Sequence, residues 1–219
     1  MLKTTLKRSS FLTNIYQKAD LRYRTMLSTI SPRIASQIFY RRAFGKKLNL
    51  YRPITLNEKL MWLKLNTYYK NQLITICADK YRVREYINEC GCNEILNDLI
   101  NAWDCVDDID WESLPDKYVI KCNHGSGYNL ICDDKKSFDI DNAKKKLRQW
   151  IKEDYWKLYA EVNYKYIKKK IICEKYIETA DGVLPSDYKV YCFNGKADCV
   201  MVCVGREYGH PKYFYFNRD

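Results

Sequence analysis

The chain has 219 residues, of which 47% are hydrophobic and 30% are charged, and its formal net charge is +11. This length and composition are ordinary for a folded globular protein with one large domain or two small lobes, and they exclude a largely disordered chain. The sequence has no apolar run long enough to cross a bilayer, and no apolar stretch follows the basic residues at its start.

Ten cysteines and two histidines raise the question of a metal site. Cysteines such as Cys173 stand inside apolar segments, where thiols pack as small hydrophobic groups. Neither Cys90 with Cys92 nor Cys199 with Cys203 has the C-x-x-C spacing that zinc sites use. We therefore expect reduced cysteines, no zinc and a cytoplasmic location.

Residues 1–50 carry most of the positive charge, because they hold eleven Lys and Arg but one acidic residue, Asp20. A basic segment that also contains tyrosines suggests contact with an anionic surface, such as the inner face of a membrane or an acidic polymer. A solvated helix face explains the same charges equally well. The sequence has no nucleic-acid-binding motif, so we expect no nucleic-acid partner.

The first third of the chain carries three sets of helix signals. They are Ser31-Pro32 before a helix that stops at Gly45, a capping box at Thr55 and Glu58, and Asp79 as the cap of a helix over Lys80 to Cys90 that Gly91 closes. Apolar residues recur at helical spacing after the first two of these caps. The sequence therefore predicts a helical N-terminal region.

Strand patterns dominate from Lys117 onward. The predicted strands are Lys117 to Cys122, Asn129 to Cys132, Lys170 to Ile177, Tyr188 to Phe193, Ala197 to Val204 and Tyr213 to Phe216, and a helix from Phe138 to Asp154 separates the second from the third. Asn194-Gly195 predicts a tight hairpin. These elements predict an α+β fold, with a basic helical region over residues 1–52, a helical or mixed part over 53–115 and strand-rich lobes over 116–219.

The segment Lys-Cys-Asn-His-Gly-Ser-Gly, from Lys121 to Gly127, places a lysine at the end of a strand and two glycines in the loop that follows. Glycine lets backbone N–H groups turn toward an oxyanion, Ser126 adds a hydroxyl donor, and lysine supplies a charge for phosphate. The pattern is neither a Walker loop nor a dinucleotide fingerprint. A tight hairpin would use the same glycines, so this segment alone leaves both interpretations open.

Two later strands carry charges that suit a nucleotide cleft. Glu174-Lys175-Tyr176-Ile177 ends an apolar strand, where the backbone can meet an adenine and Glu174 can reach the adenine amine or the ribose. Asp187 and Lys189 are two residues apart on a strand and therefore share one face. Charges on such a face suggest a cleft, although a solvated face is an equal alternative.

The order of these segments resembles the ATP-grasp superfamily, and more closely the TupA-like ATP-grasp family of teichuronopeptide and capsular polysaccharide biosynthesis. The similar segments are Asn57 to Leu65, Ala78 to Arg84, Lys121 to Gly127 and Asp187 to Lys196, and the resemblance runs from about Pro53 to the end. It implies ATP-grasp-like lobes with antiparallel sheets. It also implies a ligase reaction in which a carboxylate attacks the γ-phosphate of ATP and an amine then displaces the phosphate.

The resemblance implies a role for each matching position. The phosphates would be held by Lys80 and Lys121, and the loop that covers them would consist of His124, Gly125, Ser126 and Gly127. The adenine would be framed by Glu174, Lys175, Tyr176 and Ile177. The ribose and phosphates would lie beside Asp187 and Lys189. Arg206 is the candidate at the acyl-phosphate or acceptor end. Such enzymes bind Mg²⁺ through acidic residues on later strands. We therefore expect the last strands and the metal ligands to lie beyond Asp219, and we expect this chain by itself to be an incomplete catalyst.

Two other functions are compatible with the sequence. A glycosyltransferase of polysaccharide or capsule biosynthesis would use a metal-binding Asp-x-Asp, and Asp108-Ile109-Asp110 has this spacing, although a helix cap before Trp111 explains it as well. A non-catalytic nucleotide-binding protein is the second alternative. The resemblance favours an ATP-dependent ligase with an anionic glycan or glycan precursor as acceptor, in the cytoplasm or at the inner face of the membrane.

Overall fold

The computed structural model describes residues 10–179, 185–205 and 209–217. Two compact units divide the chain, the first over residues 1–175 and the second over residues 176–219. The domain boundaries predicted at residues 52 and 115 both fall inside the first unit.

Seven α-helices lie in the described part of the chain. They are α1 (Ser10–Ile30), α2 (Pro32–Phe44), α3 (Leu56–Asn66), α4 (Gln72–Ala78), α5 (Val83–Glu89), α6 (Ile140–Trp150) and α7 (Trp156–Tyr159). Short 3-10 turns occur at Tyr68–Lys70, Asn93–Ile95, Val106–Asp108 and Val162–Tyr166. Among the residues described, no helix has both the length and the apolar character that a membrane span requires.

Two helix starts follow from local hydrogen bonds that the sequence predicts. The Ser31 hydroxyl accepts a hydrogen bond from the Ile34 N–H at 3.3 Å, and Gly45 ends α2 in the left-handed region at φ +68°. Thr55 and Glu58 form both bonds of the capping box, at 3.3 Å and 3.0 Å. These side chains satisfy N–H groups that have no partner within a helix. Both predicted caps are confirmed.

The predicted helix over Lys80 to Cys90 is wrong at its start, because α5 begins at Val83. The Asp79 carboxylate accepts hydrogen bonds from the N–H groups of Tyr81 and Arg82, at 2.9 Å and 3.3 Å. The Lys80 N–H instead donates to the carbonyl of Asn123, at 3.3 Å. A contact distant in sequence thus holds this segment as a turn before the helix.

Four antiparallel strands form the sheet of the first unit. They are β1 (Leu99–Trp103), β2 (Tyr118–Cys122), β3 (Asn129–Cys132) and β4 (Ile171–Lys175), in the order β1-β4-β2-β3. The sequence did not predict β1, which lies at one edge. Strands β2 and β4 occupy the centre, so the residues at their ends are held by neighbours on both sides.

The core lies on one face of this sheet. Tyr118, Ile120 and Cys122 alternate along β2 as buried residues and pack with Leu147 of α6 and other buried apolar side chains. Since successive strand residues point to opposite faces, Lys121 projects from the other side of the sheet. The fold therefore directs this lysine away from the core.

The second unit contains a three-stranded antiparallel sheet. Its strands are β5 (Asp187–Phe193), β6 (Lys196–Val204) and β7 (Lys212–Asn217), in sequential order. Asn194 and Gly195 adopt φ values of +51° and +75°, as a two-residue hairpin turn requires. The predicted hairpin is confirmed, and the helices and antiparallel sheets together confirm the predicted α+β fold.

Candidate functional site

A lysine–glutamate pair lies on the face of the first sheet opposite the core. Lys121 stands opposite Ile172, and Glu174 stands opposite Val119, so the two charged side chains are diagonal neighbours on the same face. Their Nζ and Oε2 atoms are 2.6 Å apart, and the side chains are 21% and 11% exposed. Partial burial makes this pair costly to break, because either partner alone would keep an uncompensated charge.

A second lysine reaches the same place from the turn before α5. The Lys80 ammonium donates a hydrogen bond to the carbonyl of Gly125 in the glycine loop. Burial lowers the pKa of Lys80, and the positive charge of Lys121 lowers it further, while Asp79 and Glu174 act in the opposite direction. Two ammonium groups therefore repel each other beside one loop, an arrangement that a bound anion would stabilise.

Asn123 holds this arrangement together. Its side-chain amide donates to the Asp79 carboxylate at 2.8 Å and to the Lys168 carbonyl at 2.9 Å. Its side-chain oxygen accepts from the Lys170 N–H at 2.7 Å. The residue is fully buried, and it connects the end of β2, the turn that carries Lys80 and the segment leading into β4. Asn123 belongs to the segment from Lys121 to Gly127, but the sequence alone predicts no role for it.

His124 lies under the loop. Its ring is buried beside Tyr128, and with Nε2 protonated it donates to the Trp150 carbonyl at 3.1 Å. Burial, followed by the positive charge of Lys169, lowers its pKa from 6.5 to about 4, so the ring is neutral at pH 7. The Nδ1 atom has no hydrogen-bond partner among the described residues. His124 thus anchors one end of the loop to the core.

The two glycines of the loop serve different purposes. A Cβ atom on Gly125 would lie 2.6 Å from the ring of Tyr155 and 2.8 Å from that of Tyr128, so only glycine fits there. Gly127 has open space around it but adopts φ +79°, which other residues rarely do. Ser126 and Gly127 are exposed. The loop therefore has a buried base at Gly125 and an exposed tip.

The segment predicted to frame an adenine begins at the end of β4. The Lys175 N–H donates to the Asp98 carbonyl at 2.9 Å, and the Lys175 carbonyl accepts from the Asn97 side chain at 2.8 Å. These contacts occupy the main-chain groups of Lys175 that a purine could otherwise have used. Tyr176 and Ile177 belong to the second unit, where Tyr176 is half-buried and Ile177 is exposed.

The second unit carries the other predicted pair on β5. Lys189 Nζ and Asp187 Oδ2 are 3.6 Å apart, so the two side chains do share one face of the strand. The side chain of Lys189 is 53% exposed and that of Asp187 is 34% exposed. Arg206, the predicted residue at the acceptor end, lies outside the described residues.

A metal ion would need a cluster of ligand side chains from the described residues. They contain no group of three or more His, Cys, Asp and Glu side chains that could surround a cation. Glu174 is a carboxylate beside the two lysines, and Mg²⁺ in nucleotide sites takes one or two protein carboxylates with the remaining ligands from phosphates and water. These residues do not supply a metal cage of their own.

Comparison with known proteins identifies the family. The model of the TupA-like ATP-grasp family matches residues 58–218, a range that contains both lysines, the glycine loop and the β5 pair. No curated protein and no solved structure gives a significant match. Membership in this family implies ATP as a ligand. The chain belongs to the TupA-like ATP-grasp family.

Proposed function

We propose that Lys80 and Lys121 hold the phosphates of ATP beneath the loop formed by His124, Gly125, Ser126 and Gly127. The observation that carries this proposal is the convergence of two partly buried lysines on one loop: the Lys80 ammonium contacts the Gly125 carbonyl, and Lys121 ends the strand that enters the loop, so their positive charges repel each other. A polyanion would relieve that repulsion, and the exposed N–H groups of the loop tip can add hydrogen bonds to it. Glu174 keeps Lys121 oriented, because its carboxylate lies within hydrogen-bonding distance.

The remaining nucleotide contacts are proposed on the family resemblance. Lys175, Tyr176 and Ile177 would frame the adenine, and Glu174 would reach its amine or the ribose. The occupied main-chain groups of Lys175 favour Tyr176 and Ile177 as the purine-binding part of this segment. Asp187 and Lys189 would lie beside the ribose and phosphates, and Mg²⁺ would accompany ATP.

The proposed reaction is the ligation of a carboxylate to an amine. A carboxylate oxygen of the acceptor attacks the γ-phosphorus, the bond to the β-bridging oxygen breaks, and ADP leaves. The amine then attacks the acyl carbon, loses a proton and releases inorganic phosphate, leaving an amide. Catalysis of the first step depends on positioning and charge neutralisation, which the lysines supply. Arg206 is proposed to contact the acyl phosphate.

The proposed biological role is cell-surface polysaccharide biosynthesis, such as that of a capsule, with an anionic glycan or glycan precursor as the acceptor. We place the reaction in the cytoplasm, at the inner face of the membrane. Exposed basic residues of α1 and α2, such as Arg22, Arg33 and Arg41, support this, because cations near anionic lipids each gain about 1 kcal/mol. Flotation with vesicles that contain or lack phosphatidylserine tests the membrane contact, and equal flotation with both would refute it.

The glycosyltransferase alternative rests on the acidic segment before Trp111. Asp107 pairs with Arg148 at 2.5 Å, and the Asp110 carboxylate accepts hydrogen bonds from the N–H groups of Glu112 and Ser113. These contacts account for Asp107 and Asp110, and the described residues gather no group of three or more metal-ligating side chains around Asp108. The family match and these contacts favour the ligase over a glycosyltransferase.

Trapping of the acyl phosphate tests the proposed chemistry. Hydroxylamine would replace the unknown amine, and an oligosaccharide of glucuronic acid would supply the carboxylate, together with ATP and Mg²⁺. We expect hydroxamate to accumulate with this acceptor and to be absent with the same oligosaccharide after its carboxyl groups have been reduced to alcohols. ATP binding without hydroxamate from any uronate acceptor would refute the ligase chemistry and favour a non-catalytic nucleotide-binding protein.

A further inference from the structure

A cavity lies in the first unit, apart from the glycine loop. It has a volume of about 270 Å³ and is bordered by α2, α3 and the chain that follows α7. Its apolar wall includes Phe39, Phe44 and Met61, and its polar groups include Ser36, Lys64 and Glu161. Small-molecule sites usually measure about 300–1,000 Å³, so this cavity suits a ligand at the small end of that range.

Lys64 is the positive group of the cavity. Its ammonium donates a hydrogen bond to the Tyr159 carbonyl at 3.0 Å. Burial lowers the pKa of Lys64 to about 8, and the negative charge of Glu161 offsets part of that effect. An ammonium group can donate three hydrogen bonds, so this lysine retains donors for a ligand.

Glu161 is the negative group. Burial raises the pKa of its carboxyl, while Lys64 acts in the opposite direction. Among the contacts of the described residues, no salt bridge joins Lys64 to Glu161, although the charge of each shifts the pKa of the other. Two opposite charges thus line one partly apolar cavity without a direct ion pair between them.

Ser36 supplies an independent sign of a missing ligand. The residue is fully buried, it lines the cavity, and its hydroxyl has no hydrogen-bond partner among the described residues. Buried hydroxyl groups are nearly always paired, because leaving one unpaired is unfavourable. A ligand with an acceptor atom would satisfy this hydroxyl.

We propose that this cavity binds a free α-amino acid with an apolar side chain. The carboxylate of the ligand would meet Lys64 and Ser36, its ammonium group would meet Glu161, and its side chain would pack against Phe39 and Phe44. A plain carboxylic acid would offer Glu161 no cation, and a plain amine would offer Lys64 no anion. The site is independent of ATP and of the proposed ligase reaction.

Calorimetry with L-leucine at pH 7 and without nucleotide tests this proposal. Two analogues are matched controls: 4-methylpentanoic acid lacks the amine, and 3-methylbutylamine lacks the carboxylate. We expect leucine, or another apolar member of the twenty common amino acids, to bind the intact chain and each matched analogue to bind at least about tenfold more weakly. Binding of none of the twenty, or equal binding of the analogues, would overturn the proposal.

Variants locate the site. Lys64→Met and Glu161→Gln should each weaken the binding of leucine by at least about tenfold, whereas Lys59→Met, on the exposed side of the same helix as Lys64, should leave it unchanged. Ser36→Ala removes the unpaired hydroxyl, so the variant should melt at the same or a higher temperature and yet bind leucine more weakly. Unchanged leucine affinity in a folded Ser36→Ala or Lys64→Met variant would refute this site.

Discussion

Replacement of Asn123 by alanine should destabilise the protein and displace Lys80. The substitution removes three side-chain hydrogen bonds, to the Asp79 carboxylate, the Lys168 carbonyl and the Lys170 N–H. A neutral hydrogen bond contributes about 1 kcal/mol net, and one to a charged group contributes about 1.5–3 kcal/mol. We therefore expect the free energy of unfolding to fall by about 3.5–5 kcal/mol, a large part of the roughly 5–15 kcal/mol typical of whole proteins.

Urea unfolding measures this loss. With an m-value of about 2 kcal/mol/M, the midpoint should fall by roughly 1.8–2.5 M with the slope unchanged. Asn88→Ala is the matched control, because Asn88 is exposed on α5, and it should shift the free energy of unfolding by less than about 0.5 kcal/mol. A loss below about 1 kcal/mol for Asn123→Ala would contradict the role assigned to its side chain.

Three further predictions concern the loop. The pKa of His124 falls from 6.5 to about 4 on folding. As the pH falls through this range, the unfolded chain takes up a proton at His124 before the folded chain does. The stability that the neutral ring contributes is therefore lost between about pH 6.5 and about pH 4. His124→Gln should reduce the slope of unfolding free energy in that window by up to about 1.4 kcal/mol per pH unit, and an unchanged slope would refute this. Gly125→Ala should lower stability by about 1–3 kcal/mol through contact with Tyr155, as measured by urea unfolding. Gly127→Ala should cost about 1–2 kcal/mol from its φ alone, and equal retention of wild-type stability by both alanine variants would contradict the loop geometry.

Features that depend on neighbours in sequence were predictable. The caps at Ser31 and Thr55 and the Asn194-Gly195 turn form through hydrogen bonds and backbone angles that span a few residues. The strand–loop–strand unit from Tyr118 to Cys132 also follows from local alternation and glycine placement. In each case the residue type itself determines the conformation.

Features that depend on distant residues were not predictable. The edge strand β1 is defined by its pairing with β4, some seventy positions later in the chain. The start of α5 at Val83 depends on Asn123. Its carbonyl accepts a hydrogen bond from the Lys80 N–H, and its side-chain amide donates one to the Asp79 carboxylate. A pattern read within a window of about eighteen residues contains no such partner.

The residues of the candidate site also fall into those that the local sequence predicts and those that it does not. The glycine loop and Lys121 were identifiable because strand and loop are adjacent in sequence, whereas the approach of Lys80 to Gly125 required the fold. Asn123 had a local signal, an amide side chain directly after a buried strand, but its three partners come from two other segments. Its role could not be derived from spacing alone.

Titration of the intact chain with Mg²⁺-ATP by calorimetry tests the central claim most directly. Lys80→Ala and Lys121→Ala should each weaken ATP binding at least about tenfold, or about 1.4 kcal/mol, while Lys136→Ala, at an exposed loop of the same unit, should not. The double variant Lys121→Ala/Glu174→Gln should also bind weakly, which separates the loss of the lysine from an unpaired glutamate. Absence of ATP binding by the unmodified chain, or ATP binding that is insensitive to both lysines, would contradict the account.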